Sequence, residues 1–431
     1  HPGNYDVNPA NAPPGPYLPA DEDNYKFTLM SYSVNPETSI EPATPMLYDI
    51  AALQDRWGAN MNYMTGNDTY TADPSGAVQV LWDAGGVDTL TASGFSHSEL
   101  NLISGQFSSF NGQQSVVVAY NTTIENATGT EGIDTITGNS VSNTLAGLGG
   151  ADTINGLAGN DWLTPGAGSD MVDGGADVDM VSFSDLGQAV NASLLNGIAT
   201  SGPDTDTLSN LENITGTIYS DVLEGDAGAN RLRGLGGYDW FVGTVGSDRF
   251  EGGTGNDTAS YQNAIGSVTV NLSTNMGTFG QALGDTYDSI ENVTGSSYGD
   301  LIYGNAGQNN FRGLAGYDIF VGSTGGRERY DGGSGSDSVT YFQSTAGVCA
   351  SLNLGYGYGG DAALDLYTSI ENLTGTAHND VLIGDGGRNG LRGLSGDDNL
   401  QGYGGSDYLT GGRGDDEIDG GAGSDYAFFN G

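Results

Sequence analysis

Apolar residues recur every nine positions between residues 128 and 183, at Ile136, Leu145, Ile154, Leu163 and Val172. Small or polar residues flank each of them, an alternation typical of a short strand with one buried face. Glycines precede each strand, where the backbone must adopt a positive φ. If successive turns alternate between two sides, each strand lies above the strand eighteen residues away. The pattern therefore predicts an all-β fold in which stacked parallel strands bury one continuous apolar ladder.

Acidic residues follow the same nine-residue spacing, each standing directly before a predicted strand, with an asparagine in the second place of each array. The four arrays contain Asp134, Asn143, Asp152, Asp161, Asp170 and Asp179; Asp221, Asn230, Asp239, Asp248 and Asp257; Asp300, Asn309, Asp318 and Asp337; and Asp380, Asn389, Asp398, Asp407, Asp416 and Asp425. The third array slips by one residue at Glu328, which stands between Arg327 and Arg329. We expect this array to form the weakest block, with calcium beside Glu328 lost first or replaced by an arginine–glutamate contact.

Spacers with the related motifs LENITG, IENVTG and IENLTG separate the arrays, and their glutamates Glu212, Glu291 and Glu371 recur at nearly equal intervals. This larger period marks a tandem array. Each spacer also predicts a short strand, with Val190, Val268 and Val348 on the same face as Leu194, Leu272 and Leu352 and with Cys349 on the opposite face. The arginines of the LRGL and FRGL motifs, Arg233, Arg312 and Arg392, are expected to pair with neighbouring carboxylates. The predicted division is 1–45, 46–127, 128–183, 184–262, 263–342 and 343–431.

Composition restricts the possible functions. The 431 residues carry a formal charge of −43 and a single cysteine, so nucleic acid is not an expected partner and no internal disulfide can form. No apolar stretch is long enough to predict a transmembrane span. Such an excess of carboxylates leaves a chain either disordered or folded by cations, and the regular spacing favours cations.

A column of carboxylates repels itself unless cations neutralise it. Calcium takes six to eight oxygen ligands, including carboxylates and backbone carbonyls, whereas magnesium requires a tighter octahedron. The sequence therefore predicts several calcium ions. The glycine-rich nonapeptide resembles the calcium-binding RTX repeat over most of residues 128–425, and this resemblance implies a series of parallel β-roll blocks in tandem.

The segment before the first array differs in character. The stretch TPMLYDIAALQDRWG at 44–58 predicts one helix, with Thr44 as a possible cap, Pro45 in the first turn and Gly58 at the end. Met46, Ile50, Leu53 and Trp57 would share one face of this helix.

Three stretches within 1–185 resemble the serralysin family of zinc metalloproteases, which belongs to the metzincin clan. FTLMSYS resembles the Met-turn of that family, residues 44–70 resemble the crossover into its β-roll, and LWDAGGVDTLTASG with TTIENATG resemble the opening strands. The resemblance implies that a metzincin-like remnant with one helix precedes the rolls. It places His1 at the third zinc-ligand position, Met30 in the Met-turn and Tyr32 within reach of the zinc. Zinc is expected only if the missing H-E-x-x-H helix precedes His1.

The same resemblance implies calcium sites where the roll opens. Their matching positions are Met64 and Gly66 through carbonyls, Asp68, Asp83 and Asp88 through carboxylates, and Gly85, Gly86, Thr123 and Glu125. Asp68 stands where the family has a threonine.

Two functional hypotheses follow. The first is a calcium-binding RTX β-roll protein that folds in extracellular calcium, acts as a structural or surface-assembly module with a self-assembly or cell-surface partner, and leaves a Gram-negative cell by type I secretion. The alternative is the C-terminal part of a zinc-dependent metalloendopeptidase. A carbohydrate-related role is disfavoured because the 23 tyrosines are spread through the repeats. The abrupt start at His1 and the final SDYAFFNG indicate cuts in a longer protein.

Overall fold

The computed structural model describes Phe27 and residues 44–428. The chain divides into two compact units, one made of residues up to Gly187 together with Gly197–Asn213, and the other of Gln188–Asn196 together with residues from Ile214 onward. Almost every regular element is a short strand, as the sequence predicted. Among the described residues, no helix combines the length and the apolar character needed to cross a bilayer.

The elements up to residue 215 are one helix and seventeen strands. They are α1 Leu47–Trp57, β1 Thr69–Thr71, β2 Gln79–Leu81, β3 Thr89–Thr91, β4 Ser98–Asn101, β5 Phe107–Phe110, β6 Gln113–Val118, β7 Asn126–Thr128, β8 Thr135–Thr137, β9 Thr144–Ala146, β10 Thr153–Ala158, β11 Trp162–Thr164, β12 Met171–Ala176, β13 Met180–Ser182, β14 Asn191–Ser193, β15 Ile198–Ser201, β16 Asp204–Ser209 and β17 Asn213–Thr215.

The remaining described elements are strands with two short 3-10 helices, Gly280–Ala282 and Gly360–Ala362. The strands are β18 Val222–Glu224, β19 Arg231–Gly237, β20 Trp240–Val242, β21 Arg249–Gly255, β22 Thr258–Ser260, β23 Thr269–Asn271, β24 Met276–Phe279, β25 Thr286–Asp288, β26 Asn292–Thr294, β27 Leu301–Tyr303, β28 Asn310–Arg312, β29 Ala315–Gly316, β30 Ile319–Val321, β31 Arg329–Asp331, β32 Ser334–Gly335, β33 Ser338–Thr340, β34 Cys349–Ser351, β35 Tyr356–Gly359, β36 Leu366–Thr368, β37 Asn372–Thr374, β38 Val381–Ile383, β39 Gly390–Ser395, β40 Asn399–Gln401, β41 Gly404–Gly405, β42 Tyr408–Arg413, β43 Glu417–Asp419, β44 Ala422–Gly423 and β45 Tyr426–Phe428.

The strands of the first unit stack in parallel at the predicted interval. Ile154 of β10 pairs with Ile136 of β8 on one side and with Val172 of β12 on the other. On the second stack, Leu163 of β11 pairs with Leu145 of β9. All five side chains are at most 2% exposed. The prediction that each turn lies above the turn eighteen residues away is confirmed.

The second unit repeats this arrangement with larger side chains inside. One stack runs β18, β20, β22, β26 and β28 in parallel, and another runs β27, β30, β33, β37 and β39. Phe241, Phe250, Phe311 and Phe320 are fully buried in the interior. Their rings pack in pairs, with 5.6 Å between the centroids of Phe241 and Phe250.

Each spacer adds a strand to a stack, as predicted. In the second unit β14 joins β18, β23 joins β27 and β34 joins β38, all in parallel. Val190, Val268 and Val348 are buried, as is Leu272, whereas Leu194 and Leu352 are half-buried. Cys349 is half-buried and lies on the opposite face. The spacers are therefore part of the roll.

The predicted helix is present, but it begins later than predicted and buries only part of the predicted face. It begins at Leu47, and the backbone N–H of Met46 donates to Asp49 Oδ2 over 2.9 Å. Thr44 accepts instead from the N–H of Val80. Met46, Leu47 and Ile50 pack on a cluster that includes Val78, Val80, Val117 and Ala119. Leu53 and Trp57 lie on the same face as Met46 and Ile50 but are 42% and 72% exposed, because this cluster covers only the first turns of the helix.

Candidate metal centre

Three carboxylates meet where the first unit opens. Asp68, Asp83 and Asp88 each place a carboxylate oxygen within 4.8 Å of the other two. Asp83 and Asp88 are buried, and Asp68 is half-buried. These are the three side chains that the sequence named for this place, and oxygen atoms this close are a suitable set for a hard cation.

The backbone around these carboxylates is shaped for close approach. Gly86 has a φ of 140°, and a methyl group placed on it would collide with the carbonyl oxygen of Gly66. The N–H of Gly85 donates to Asp83 Oδ1 over 2.9 Å, and the hydroxyl of Tyr70 donates to Asp83 Oδ2. The positions named from sequence as Gly66, Gly85 and Gly86 therefore do surround the cluster.

The remaining positions that the sequence analysis named for this site, Met64, Glu125 and Thr123, make different contacts. Met64 has a φ of 49°, and its carbonyl accepts a hydrogen bond from the N–H of Ala84. Glu125 Oε2 accepts from the N–H of Asp88 over 2.8 Å, whereas the side chain of Thr123 is exposed. Burial raises the pKa of Asp88, and the charges of Asp83 and Glu125 add to this shift. A cation would lower the cost of keeping Asp88 ionised.

One hydrogen bond repeats in both units. The backbone N–H of an acidic residue, or of the asparagine of an array, donates to Oδ1 of the carboxylate one level further along the stack, as from Asp152 to Asp170 over 2.8 Å. The same bond reaches the acceptors Asp88, Asp152, Asp161, Asp179, Asp239, Asp248, Asp257, Asp318, Asp337, Asp398, Asp407, Asp416 and Asp425. The backbone thus holds one oxygen of each carboxylate and determines where the other lies.

The second oxygen of most of these carboxylates is buried and has no hydrogen-bond donor among the described residues. This holds for Oδ2 of Asp88, Asp152, Asp161, Asp170, Asp179, Asp239, Asp257, Asp318, Asp337, Asp398 and Asp407. Buried polar atoms without a partner are rare in native proteins, because each costs free energy. Their regular recurrence indicates a ligand.

Glycine makes room beside most of these oxygens, whereas Pro165 stands at the equivalent place before Asp170. A methyl group placed on Gly147 would collide with Oδ2 of Asp152 and with the carbonyl oxygen of Pro165. The corresponding group on Gly156 would collide with Oδ2 of Asp161 and with the carbonyl of Gly174. Carboxylate and carbonyl oxygens therefore converge from neighbouring turns. A set of oxygen atoms alone fits calcium, which accepts six to eight of them at about 2.3–2.6 Å.

Burial raises the pKa of these carboxyl groups, and neighbouring carboxylates add to the shift. The pKa is raised to about 7 for Asp152, Asp239 and Asp318. It is raised to about 6 for Asp161, Asp170, Asp179 and Asp398. Each ionised carboxylate is therefore unfavourable in the fold by itself, which is the electrostatic condition that a cation relieves.

The first aspartate of each array is different, because a hydroxyl residue four positions earlier bonds to it. Thr217 donates its N–H to Asp221 Oδ2 over 2.5 Å and its hydroxyl to Asp221 Oδ1 over 2.9 Å. The equivalent residues pair Thr130 with Asp134, Ser296 with Asp300 and Thr376 with Asp380. Both oxygens of Asp134 are also satisfied, since Ser98 donates to its Oδ1. These four aspartates therefore have hydrogen-bond donors on both oxygens.

In the second turn of each array an asparagine stands in place of the aspartate, so a neutral amide takes the place of a carboxylate in the column. Asn309 Nδ2 donates to the carbonyl of Glu291 over 2.9 Å, and Asn389 Nδ2 donates to the carbonyl of Glu371 over 3.1 Å. The amide thus uses a carbonyl oxygen of the neighbouring turn without adding charge. Asparagine explains why the columns are interrupted at regular places.

Six further acidic residues continue the columns through the spacers, and the sequence analysis did not name them as ligands. The N–H of Asp179, Asp257 and Asp337 donates to Glu212, Glu291 and Glu371, and the N–H of Asp170, Asp248 and Glu328 donates to Asp206, Asp285 and Asp365. The sequence does contain a signal for these residues, since each spacer aspartate stands six residues before the spacer glutamate. The sequence analysis missed it because these residues do not follow the nine-residue spacing of the arrays.

Glu328 does not form the expected contact with an arginine within the described part of the chain. It is 1% exposed, and its Oε1 accepts from the Ser323 hydroxyl over 2.5 Å. Burial and a hydrogen bond to Asp365 raise its pKa to about 9. Glu328 is thus as buried as Asp248, which stands at the equivalent place in the second array.

The arginine motifs do pair with carboxylates at two of three positions. Arg233 lies 3.8 Å from Glu251, and Arg312 lies 3.7 Å from Asp331. Glu251 also contacts Arg231 and Arg249. Arg392 has no such ion pair among the residues the structure describes. The candidate zinc residues His1 and Tyr32, with Met30, lie outside the described residues.

Comparison with known proteins agrees with this arrangement. The family model described as Peptidase M10 serralysin C terminal matches residues 54–429. The chain belongs to this family.

Individual members match over shorter stretches. The chain is 39% identical to Serralysin C of Dickeya chrysanthemi over 156 residues and 39% identical to Serralysin of Proteus mirabilis over 158 residues, in each case 32% of both chains. It is 34% identical to Metallopeptidase AprA of Pseudomonas marginalis over 160 residues, 32% of this chain and 33% of that protein. The chain spans about a third of the length of the curated relatives it matches.

Proposed function

We propose that this chain is a secreted calcium-binding RTX β-roll protein that requires calcium to fold and serves as an extracellular structural or surface-assembly module. The observation that carries the proposal is the series of buried carboxylate oxygens without donors, most of them beside a glycine and a backbone carbonyl of the neighbouring turn. Membership of the serralysin C-terminal family supports it.

The energetic argument is direct. Two unit charges 4 Å apart at an effective dielectric of about 20 interact by about 4 kcal/mol, and each column stacks several carboxylates. Without a cation this repulsion opposes folding. A cation that binds only the folded chain adds its binding free energy to the free energy of unfolding.

The structure distinguishes two groups of candidate residues. We propose that the carboxylates with a bare oxygen bind calcium together with nearby backbone carbonyls, and that Asp68, Asp83 and Asp88 form the opening site with Gly66. Asp83 belongs to this site although both of its oxygens accept hydrogen bonds, because the three carboxylates lie within 4.8 Å of one another. Asp134, Asp221, Asp300 and Asp380 would instead act mainly as hydrogen-bonded anchors, because both of their oxygens already have donors. The predicted division into four repeat blocks remains part of this proposal.

Circular dichroism of the full chain with calcium, with magnesium and in calcium-depleted buffer tests calcium-dependent folding. We expect the β signal to weaken and the melting temperature to fall when calcium is removed, and the melting temperature to rise with calcium concentration. Magnesium at equal concentration is the control, since it prefers a smaller octahedral site. An equal β signal and melting temperature in all three buffers would contradict the proposal.

Secretion follows from the same chemistry. A chain that is unfolded at low cytosolic calcium and folds at millimolar calcium outside is suited to export, and type I secretion is the route that the RTX resemblance implies. Expression in a Gram-negative host with and without a type I exporter tests this. Accumulation in the medium without the exporter would argue against that route.

A second candidate is supported by the names of the relatives, one of which is a metallopeptidase. In that case this chain is the C-terminal part of a zinc-dependent endopeptidase. A catalytic zinc needs three protein ligands, and this chain offers only His1 and Tyr32 in matching positions. We expect the chain by itself not to cleave casein with added zinc. Casein cleavage that needs zinc and that a chelator abolishes would contradict the proposal that this polypeptide is a structural module.

A further inference from the structure

Two spacer turns of the second unit carry tyrosine hydroxyls on their carboxylates. The N–H of Asp248 donates to Asp285 Oδ1 over 2.8 Å, as elsewhere in the column. The other oxygen of Asp285 accepts from the hydroxyl of Tyr261 over 2.6 Å, and that hydroxyl lies 2.6 Å from the hydroxyl of Tyr287. Tyr261 is fully buried. Asp285 therefore has a donor on each oxygen.

The next spacer repeats this network. Asp365 accepts from the N–H of Glu328 over 3.0 Å and from the hydroxyl of Tyr341 over 2.6 Å. The hydroxyls of Tyr341 and Tyr367 lie 2.7 Å apart. The arrangement thus occurs twice, at the spacing of the large repeat.

The turn that precedes each of these spacers also receives a hydroxyl. Thr244 Oγ1 donates to Asp248 Oδ2 over 3.1 Å, and Ser323 Oγ donates to Glu328 Oε1 over 2.5 Å. Glu328 Oε2 has no donor among the described residues, and it is the backbone N–H of Glu328 that donates to Asp365. Each acidic residue of the two gaps therefore accepts a hydrogen bond from a hydroxyl group on at least one oxygen.

The first unit has the same acidic pair without these hydroxyls. The N–H of Asp170 donates to Asp206 over 3.0 Å, but Asp170 Oδ2 has no donor among the described residues. In the aligned repeats, Phe183 occupies the place of Tyr261, Leu208 that of Tyr287 and Gly166 that of Thr244. The first unit thus lacks all three hydroxyl groups that the second unit has at these positions.

Space for the tyrosine ring comes from a fourth difference between the repeats, a glycine in the preceding turn. A methyl group placed on Gly243 would collide with the ring of Tyr261, and one placed on Gly322 would collide with the ring of Tyr341. The equivalent position of the first unit is Pro165, which accompanies Phe183. The tyrosine therefore needs a glycine turn to reach the carboxylate.

We propose that hydroxyl groups take the place of calcium in the gaps between Asp248 and Asp285 and between Glu328 and Asp365, whereas the gap between Asp170 and Asp206 binds calcium. The inference rests on the proposed function. A hydrogen bond from a hydroxyl to a buried carboxylate is short and charge-assisted. A cation entering either gap would have to displace the hydroxyl of a fully buried tyrosine, Tyr261 or Tyr341.

The consequence is an uneven calcium requirement along the second unit. The turns around the two tyrosine networks keep their hydrogen bonds in calcium-depleted buffer, whereas neighbouring turns with bare oxygens do not. These two places would remain ordered when calcium is withdrawn and would seed the refolding of the unit.

Calcium stoichiometry of single asparagine variants of the full chain tests the proposal. Equilibrium dialysis with calcium alone should show that Asp285→Asn and Asp365→Asn bind as many ions as the wild type, and that Asp206→Asn binds at least one fewer. A loss in Asp285→Asn or Asp365→Asn would overturn the inference while leaving the proposed function standing. An undiminished count in Asp206→Asn as well would count against the calcium columns themselves.

Removal of the hydroxyls gives a second measurement that does not depend on counting ions. Tyr261→Phe and Tyr341→Phe should each lower the melting temperature more in calcium-depleted buffer than in calcium, because an uncovered carboxylate oxygen then becomes available to the ion. Tyr238→Phe is the matched control, since Tyr238 is 70% exposed. Equal losses with and without calcium would show that the tyrosines do not replace the ion.

Discussion

The backbone N–H of Asp134 donates to Oδ1 of Asp152 over 2.8 Å, while Oδ2 of Asp152 is buried without a donor among the described residues. One oxygen of this carboxylate thus maintains the stacking of the turns, and the other remains available for a ligand. Because the backbone orients the side chain, the free oxygen is held in place without any cation. Such preorganisation lowers the entropy that binding must overcome.

Asp152→Asn should change the melting temperature in opposite directions with and without calcium. In calcium we expect a lower melting temperature, by about 2–4 °C for each kcal/mol of binding lost. In calcium-depleted buffer the same variant should melt higher than the wild type, because one buried charge is gone.

Asp134→Asn is the control for this variant. Both oxygens of Asp134 accept hydrogen bonds, from Thr130 and Ser98. The amide therefore loses acceptor capacity whether or not calcium is present, and the melting temperature should fall in both buffers. A parallel response of the two variants would contradict the distinction between ligands and anchors.

Gly147→Ala should close one site by steric conflict. The new methyl group would meet Asp152 Oδ2 and the Pro165 carbonyl, and we expect a loss of about 1–3 kcal/mol, as for other overpacked positions. Gly187→Ala is the matched control, because a methyl group there meets nothing within 4 Å. Urea unfolding in calcium measures both. Equal free energies of unfolding for the two variants would show that the glycine does not shape the site.

Acidification should stabilise the fold when calcium is depleted. The pKa of Asp152 and Asp239 is raised to about 7 in the fold from an ordinary value of 3.8, so the folded chain binds more protons than the unfolded chain between these values. The free energy of unfolding therefore rises as pH falls from about 7 towards 4, and this gain is lost as pH rises through the folded pKa. Urea unfolding at pH 5 and pH 8 in calcium-depleted buffer measures this.

Calcium titrations supply the complementary measurement. Protons and calcium compete for the same oxygens, so the apparent affinity for calcium should be lower at pH 5 than at pH 8. A calcium-depleted fold that weakens on acidification would contradict the raised pKa values.

Thr217→Val should destabilise the second unit independently of calcium. It removes the hydroxyl that donates to Asp221 Oδ1 over 2.9 Å and leaves that buried oxygen with one donor fewer, a loss of about 1–3 kcal/mol. Thr217→Ser should restore stability, since Ser296 performs this role in the next array. A valine variant whose loss appears only in calcium would instead assign Thr217 to a metal site.

Periodicity by itself determined the architecture. A nine-residue spacing of apolar residues leaves one way to bury Ile136, Ile154 and Val172 together, which is to stack their strands in parallel. The aspartates before the strands must then form columns, because they share the spacing. The same columns indicated calcium as the candidate ion, whereas the opening cluster of Asp68, Asp83 and Asp88 was implied only by the resemblance to serralysins.

Only the tertiary structure decided which side chains meet across turns. Leu53 and Trp57 fit the helical period but are exposed, because the cluster containing Val117 covers only the first turns of the helix. Asp285 and Tyr261 are far apart in sequence and belong to no short motif, yet they form one hydrogen bond. Whether a carboxylate is a ligand or is already satisfied depends on such donors from distant turns. The spacing of acidic residues determines where the columns run, and contacts across the roll determine which oxygens remain free.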